Sequence, residues 1–183
     1  GSVLAVIGAI IAARMAFLGI KNQIRHSQEL FLSSEAEKRK KSAGALFAEI
    51  QSILLRIPSV YLSIRDNGAI HRRTTTLLKK HFQVFDNDPS IISELPPRTS
   101  LDVLDFYYNT KTQIELLDVL TENNAVNLSE EERKDHLGHW DFVISSGKHS
   151  LKEIAELCNE NDHAQKIIDA VDRSLGRKIK NRS

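Results

Sequence analysis

The sequence predicts an all-α protein, in which an N-terminal membrane-type helix precedes an antiparallel bundle of four or five helices. Apolar residues recur about every 3.6 positions in several segments after residue 42, as in helices that bury one face. No stretch of useful length alternates apolar and polar residues in the manner of a half-buried strand. We therefore expect three regions: an anchor at 1–20, a basic juxtamembrane segment at 21–42 and a bundle at 43–183.

Composition narrows the classes of function. Of the 183 residues, 41% are hydrophobic and 27% are charged, which are ordinary values for a globular protein. The 25 Lys and Arg residues nearly balance the 24 Asp and Glu residues, so no overall field favours nucleic acid as a partner. A single cysteine, Cys158, excludes an internal disulfide and a multi-cysteine zinc site, and we interpret it as a buried small apolar residue.

The N-terminal segment has the length of a membrane span. Val3–Ile20 is apolar apart from Arg14, and at about 1.5 Å per residue it spans about 27 Å. Arg14 costs about 2.5–3.5 kcal/mol at mid-bilayer, so it should lie near an interface. Lys21 and Arg25 follow the span, and the positive-inside rule then places the bulk of the chain in the cytoplasm. The interpretation is a single-pass bacterial inner-membrane protein that contacts lipid. The alternative is a helix buried in the bundle or in an oligomer.

The first bundle helix continues from the anchor and has an apolar stripe over Ala43–Ile64. Pro58 should kink or split it, and Asn67-Gly68 should end it. A second helix is expected over Ala69–Phe85. Its predicted core face is Ile70, Leu77, Leu78, His81 and Phe85.

Three elements and a connector complete the bundle. A short turn is expected at Ser90–Glu94, and a helix capped by Ser100 should run from Leu101 to Asn123. Ser129 and Glu132 form the signature of a capping box. The helix after it has a heptad seam typical of a coiled coil, and a last helix is expected over Asp162–Ile179. The seam consists of Leu137, Trp140, Ile144, Gly147, Leu151, Ile154 and Cys158.

Two pairs of residues have spacings found in metal sites. His136 and His139 are three residues apart, and Glu160 and His163 have the Glu-x-x-His spacing of di-iron bundles. A di-iron site needs two Glu-x-x-His pairs and two further glutamates, and the sequence has only one such pair. A structural or surface role for these residues is therefore favoured, and no cofactor is predicted.

Arg65 and His71 are the candidate catalytic residues of an alternative interpretation. Their spacing resembles the Arg-x4–6-His motif of helical ribonucleases of the HEPN type, which implies acid–base cleavage of RNA. Gly68 lies between them, where a helix should end, so the same residues also fit a turn.

Two basic stretches are candidate surfaces for anions, either lipid headgroups or RNA phosphates. A solvated charged face is the competing interpretation. The residues are Lys38, Arg39, Lys40 and Lys41 in the first stretch, and Arg72, Arg73, Lys79 and Lys80 in the second.

Small residues in the N-terminal helix suggest self-association. Close approach across alanine and glycine supplies dispersion contacts in lipid, where the hydrophobic effect does not drive helices together. Such residues are also common in membrane helices in general. The two rows are Ala5, Ala9 and Ala13, and Gly8, Ala12 and Ala16.

The layout resembles that of uncharacterised bacterial proteins with one membrane span and a small cytoplasmic helical bundle. The resemblance is carried by Val3–Ile20, by Ala45–Ile50 and by Leu95-Pro96-Pro97 followed by Leu104–Tyr108. It implies location and architecture but no activity. The leading hypothesis is a membrane-anchored interaction or scaffold module that binds a protein partner or forms a homo-oligomer, and the alternative is the helical ribonuclease.

Overall fold

The computed structural model describes the backbone of residues 2–121 and 125–177, and within them all side chains except those of residues 2–14, 16, 74 and 125. It is 87% helical, which confirms the all-α prediction. Its helices are α1 (Ser2–Asn67), α2 (Arg72–Lys79), α3 (Gln83–Asn87), a 3-10 helix (Pro89–Glu94), α4 (Pro97–Leu120), α5 (Glu130–Cys158) and α6 (Asn161–Ser174).

The chain divides into two compact units, an N-terminal unit of Gly1–Lys38 and a helical domain of Arg39–Ser183. In the N-terminal unit, every described side chain is exposed. In the helical domain, helices pack on one apolar core that includes Ile50, Trp140 and Ile168.

Helix α1 is one continuous element, as the lack of helix breakers before Ile57 suggested. It is not split at Pro58, which is buried between the buried residues Ile57 and Val60. Core packing on both sides of Pro58 accordingly outweighs the loss of one backbone hydrogen bond. The helix ends at Asn67 as predicted, because Gly68 adopts a left-handed conformation with φ +62°.

The prediction of one helix over Ala69–Phe85 is wrong. The segment forms a strand β1 (Ala69–His71), then α2, then α3. Strand β1 pairs antiparallel with β2 (Ala125–Asn127), with Ile70 opposite Val126. Three-residue strands are too short to show alternation in the sequence, and the ribbon gives Ile70 a buried place without a helix. Leu77, expected in the core, is 47% exposed.

Helices α4, α5 and α6 follow the predicted order with shifted ends. Helix α4 begins at Pro97, before the predicted Leu101, because proline is well suited to the first turn of a helix. Ser100 does not cap it, and its hydroxyl donates to carbonyl groups of the preceding connector. Helix α6 ends at Ser174, with Gly176 at φ +71°, while Ile179 lies outside the described residues.

Helix α5 confirms the main local predictions. Ser129 and Glu132 form the reciprocal capping box. On the seam, Trp140, Ile144, Gly147, Leu151 and Ile154 are buried, whereas Leu137 and Cys158 are half-buried. Gly147 permits close packing, since a Cβ atom there would lie 2.5 Å from a ring carbon of Phe106.

One helix among the described residues, Phe17–Asn67, is long and apolar enough to cross a membrane, and half of its most apolar window is buried inside the protein. The side chains from Phe17 to Lys41 are all exposed. The buried half of this apolar stretch therefore lies in the part of α1 that belongs to the helical domain. A core helix satisfies the same criterion as a membrane span. The described residues thus allow a span near the N-terminus without requiring one.

Candidate interaction surface

Helix α4 has a second apolar face that no described part of the chain covers. Its core face includes Val103, Phe106 and Leu117, as predicted. On the other side, Tyr108 and Val119 are each 72% exposed and Leu101 is 65% exposed. We call this second face the α4 stripe, which consists of Leu101, Leu104, Tyr108, Leu116 and Val119. Exposed large apolar side chains clustered on one side of a helix are typical of interaction sites.

A cavity of about 460 Å³ adjoins the stripe, with Leu104, Tyr108 and Phe85 in its wall. Lys111 also lines it and holds its ammonium group over the ring of Phe85, 5.1 Å from the centroid, while pairing with Asp86. The cation and its partner therefore fix the rim of the cavity.

The stripe is supported by a buried carboxylate that the sequence analysis missed. Glu49 of α1 accepts a hydrogen bond of 2.8 Å from the hydroxyl of Tyr107, and it accepts the backbone N–H groups of Val84 and Phe85 in the first turn of α3. Three donors compensate for the burial of the charge. Glu49 thereby caps α3, which has no side-chain cap of its own, and positions Phe85 beside the stripe.

Burial raises the pKa of Tyr107 far above its usual range, and the adjacent Glu49 carboxylate raises it further. Tyr107 is therefore protonated at neutral pH, which suits its role as the hydrogen-bond donor to Glu49. Its ring stacks on that of Phe85, with centroids 4.4 Å apart and planes 8° from parallel. The cavity wall is thus tied rigidly to the core.

A second polar contact holds the chain between α2 and α3. The hydroxyl of Ser52 and Nδ1 of His81 are 2.6 Å apart. Burial lowers the pKa of His81, and the charge of Arg56 lowers it further. Glu49 and Ser52 both lie among the apolar residues of α1, and a polar residue in an apolar stripe was the sequence signal for this network.

The two basic stretches that were predicted to bind anions are both exposed. In the second stretch, part of the positive charge is neutralised by an acidic partner. Residues 38 to 41 are all exposed, as are Arg72, Arg73, Lys79 and Lys80. Lys79 pairs with Asp118 of α4, which also accepts a hydrogen bond from Thr75 at 2.9 Å. Burial opposes ionisation of Asp118, but the hydrogen bonds from Lys79 and Thr75 hold its pKa below the usual value. Part of this strip therefore attaches α2 to α4.

Arg65 and His71 have separate surroundings. The guanidinium of Arg65 donates to the carbonyl of Leu175 at 2.9 Å and pairs with Asp66 at 2.7 Å. That pairing lowers the pKa of Asp66 and raises that of Arg65. His71 is an exposed residue at the end of β1. The interactions of Arg65 are those of a structural residue at the end of α1, and the ribonuclease remains an untested prediction.

The four candidate metal ligands do not form one cluster. His136 is buried while His139 is exposed, so the two rings have different surroundings. Glu160 and His163 lie 3.5 Å apart at the start of α6. Among the described residues, no group of three or more His, Cys, Asp or Glu side chains is placed to hold a metal ion.

Cys158 lies half-buried at the end of α5, with its thiol 3.3 Å from the carbonyl of Ile154. Burial raises the pKa of this thiol, and the neighbouring charge of Glu160 contributes in the same direction. A raised pKa makes the thiolate scarce, which fits the predicted structural role.

The N-terminal unit presents the other exposed apolar surface. Phe17, Ile20, Ile24 and Phe31 are exposed at spacings of three, four and seven residues, which is the spacing of a heptad seam. The predicted self-association residues lie outside the described side chains; they are Ala5, Gly8, Ala9, Ala12, Ala13 and Ala16.

Comparison of the chain with protein-family models, with curated proteins and with solved structures finds no match.

Proposed function

We propose that this chain is a membrane-anchored helical interaction module that self-associates through its N-terminal helix and binds a protein partner through its helical domain. In this proposal, the N-terminal segment spans a bacterial inner membrane once and the helical domain lies in the cytoplasm. The observation that carries it is the exposed seam of the N-terminal unit, where Phe17, Ile24 and Phe31 are 67%, 55% and 65% exposed.

The apolar side chains of this seam stay in contact with water unless lipid or another protein covers them. Leaving large apolar side chains in water forgoes about 1.5–3 kcal/mol for each one that could be fully buried. Lipid is available to residues before Lys21, but Lys21 and Arg25 indicate that the helix has by then left the hydrocarbon. Ile24 and Phe31 then require a protein surface, and a second copy of the same helix offers a matching seam.

Contacts within the helical domain support a bundle that is antiparallel in part. Ser150 of α5 donates to the carbonyl of Asp102 near the start of α4, at 2.9 Å, so these helices run in opposite directions. Helix α6 starts beside the domain's first α1 residues, with His163 against Phe47, and ends beside Arg65. Helix α6 therefore runs in the same direction as α1, so the domain departs from a fully antiparallel bundle.

Membrane attachment can be tested by fractionation. The full chain should sediment with membranes and require detergent for release, whereas a variant lacking residues 3–20 should be soluble and retain the helical circular-dichroism spectrum. Full-length protein recovered in the cytosolic fraction would contradict the anchor and favour a helix buried in an oligomer.

Self-association can be tested by cross-linking in membranes. Ala9→Ile with Ala12→Ile should reduce the dimer signal while keeping the segment hydrophobic enough to insert. Leu4→Ile with Leu18→Ile is the matched control, because it alters branching without filling the rows of small residues. An equal dimer signal in all three proteins would dispose of this interface.

A further inference from the structure

An acidic residue flanks each half of the α4 stripe. Taking about 100° per residue, Asp105 lies to one side of Leu101, Leu104 and Tyr108, and Glu115 lies to the opposite side of Leu116 and Val119. Both residues are exposed and both line the cavity beside Tyr108. In the part of the chain that the structure describes, neither carboxylate has a hydrogen-bond or ion-pair partner. The stripe therefore combines an exposed apolar centre with two unpaired negative charges.

We propose that the α4 stripe binds an amphipathic helix of a partner protein, with an apolar face and basic residues on both of its sides. This inference rests on the proposed function in one respect, namely that the domain acts by binding protein. Asp105 and Glu115 are ten residues apart, or about 15 Å along the helix axis. A partner helix matches them with lysine or arginine residues about three turns apart.

The cavity supplies an anchor point for such a helix. Its volume of about 460 Å³ accommodates a large apolar side chain between Leu104, Tyr108 and the ring of Phe85. Helices that dock in grooves insert such anchors at i, i+3, i+4 and i+7 spacing. Tyr107 and Glu49 hold the wall from below, so the pocket exists before the partner arrives.

Charge argues against a second copy of the same face as the occupant. Pairing two copies of the stripe gathers four unpaired carboxylates, two from each copy, in one interface, which disfavours the pairing. A basic helix instead brings opposite charges to both carboxylates.

The test uses the full chain in nanodiscs of neutral lipid and two designed 18-residue helical peptides. The peptides share one leucine face and differ only in carrying lysine or glutamate on the remaining positions. The wild-type chain should bind the leucine–lysine peptide at least about ten-fold more tightly than the leucine–glutamate peptide. Binding to empty nanodiscs is measured in parallel and subtracted.

Two variants make the result specific to the stripe. Asp105→Lys with Glu115→Lys should reverse the preference between the peptides, and Leu104→Ser with Tyr108→Ser should abolish binding of both. Phe142→Ser, at an exposed apolar residue on α5, is the matched control and should bind like wild type. Unchanged melting curves show that each variant is folded.

Three outcomes would overturn the inference. These are no binding above the empty nanodisc, equal affinity for the two peptides, or a preference that the charge-reversal variant keeps. Each would leave the fractionation and cross-linking results unaffected. Conversely, loss of the anchor or of the dimer would not change the peptide preference of the domain.

Discussion

Two stretches of the same helix use apolar residues in opposite ways. In α1 of the N-terminal unit, Ile20, Ile24 and Phe31 are exposed, whereas in the helical domain Leu46, Ile53 and Ile57 are fully buried. Both stretches have helical periodicity, so the pattern alone gives the face of the helix and not what covers it. In the proposed function, lipid or another chain supplies the surface that the N-terminal stretch lacks.

The largest expected effect is in the core of the helical domain, to which the buried stretch of α1 belongs. Leu151→Ala removes a fully buried side chain from the seam of α5 and should lower the free energy of unfolding by about 2–5 kcal/mol. Urea unfolding of the full chain, followed by fluorescence of the buried Trp140, measures it. Phe142→Ala, at an exposed apolar residue of α5, is the control and should change the same transition by less than about 0.5 kcal/mol. A loss below about 1 kcal/mol for Leu151→Ala would show that the seam faces water.

A smaller effect is expected at the buried polar contact of α1. Glu49→Gln replaces one acceptor oxygen with an NH₂ group that faces other donors, and it should lower the free energy of unfolding by about 1–2 kcal/mol. Glu115→Gln, at an exposed glutamate, should leave stability within about 0.5 kcal/mol of wild type. Equal stability of the two variants would mean that Glu49 does not hold α3 in place.

The smallest effect concerns pH. Burial lowers the pKa of His136, and the neighbouring His139 lowers it further, so the folded state binds fewer protons than the unfolded state. Stability is then fully present above the unfolded pKa of about 6.5 and is lost as pH falls below it. The urea midpoint should be lower at pH 5.5 than at pH 8, and His136→Gln should reduce that difference.

His71→Gln changes an exposed histidine and serves as the control for this pH effect. His81 also has a lowered pKa and contributes in the same direction, so part of the difference should survive in His136→Gln. A midpoint that rises on acidification would contradict the burial of both rings in their neutral form.

The sequence was sufficient where one local rule decided the structure. Ser129 and Glu132 specify a helix start by themselves, and the spacing from Trp140 to Ile154 specifies a buried seam. The sequence was insufficient where partners far along the chain decide. Ile70 forms a strand because Val126 pairs with it, and Glu49 is buried because Tyr107 and α3 supply three donors.

The α4 stripe lay between these cases. Leu101, Leu104 and Tyr108 have spacings of three and four residues, which could have been recognised as a second apolar face beside the one containing Val103 and Phe106. Only the packing of the domain shows which face is buried. The sequence also predicts an interface along the N-terminal rows of small residues. The side chains of those rows lie outside the described residues, so their surroundings do not test it.

Disulfide cross-linking along the exposed seam tests directly whether a second copy covers it. The experiment is done in native membranes, in a Cys158→Ser background. If a second copy covers the seam, Ile24→Cys and Phe31→Cys should form disulfide-linked dimers on mild oxidation. His26→Cys, two positions from Ile24 and off the seam, should form few. Equal cross-linking at all three positions, or none at any, would contradict the account.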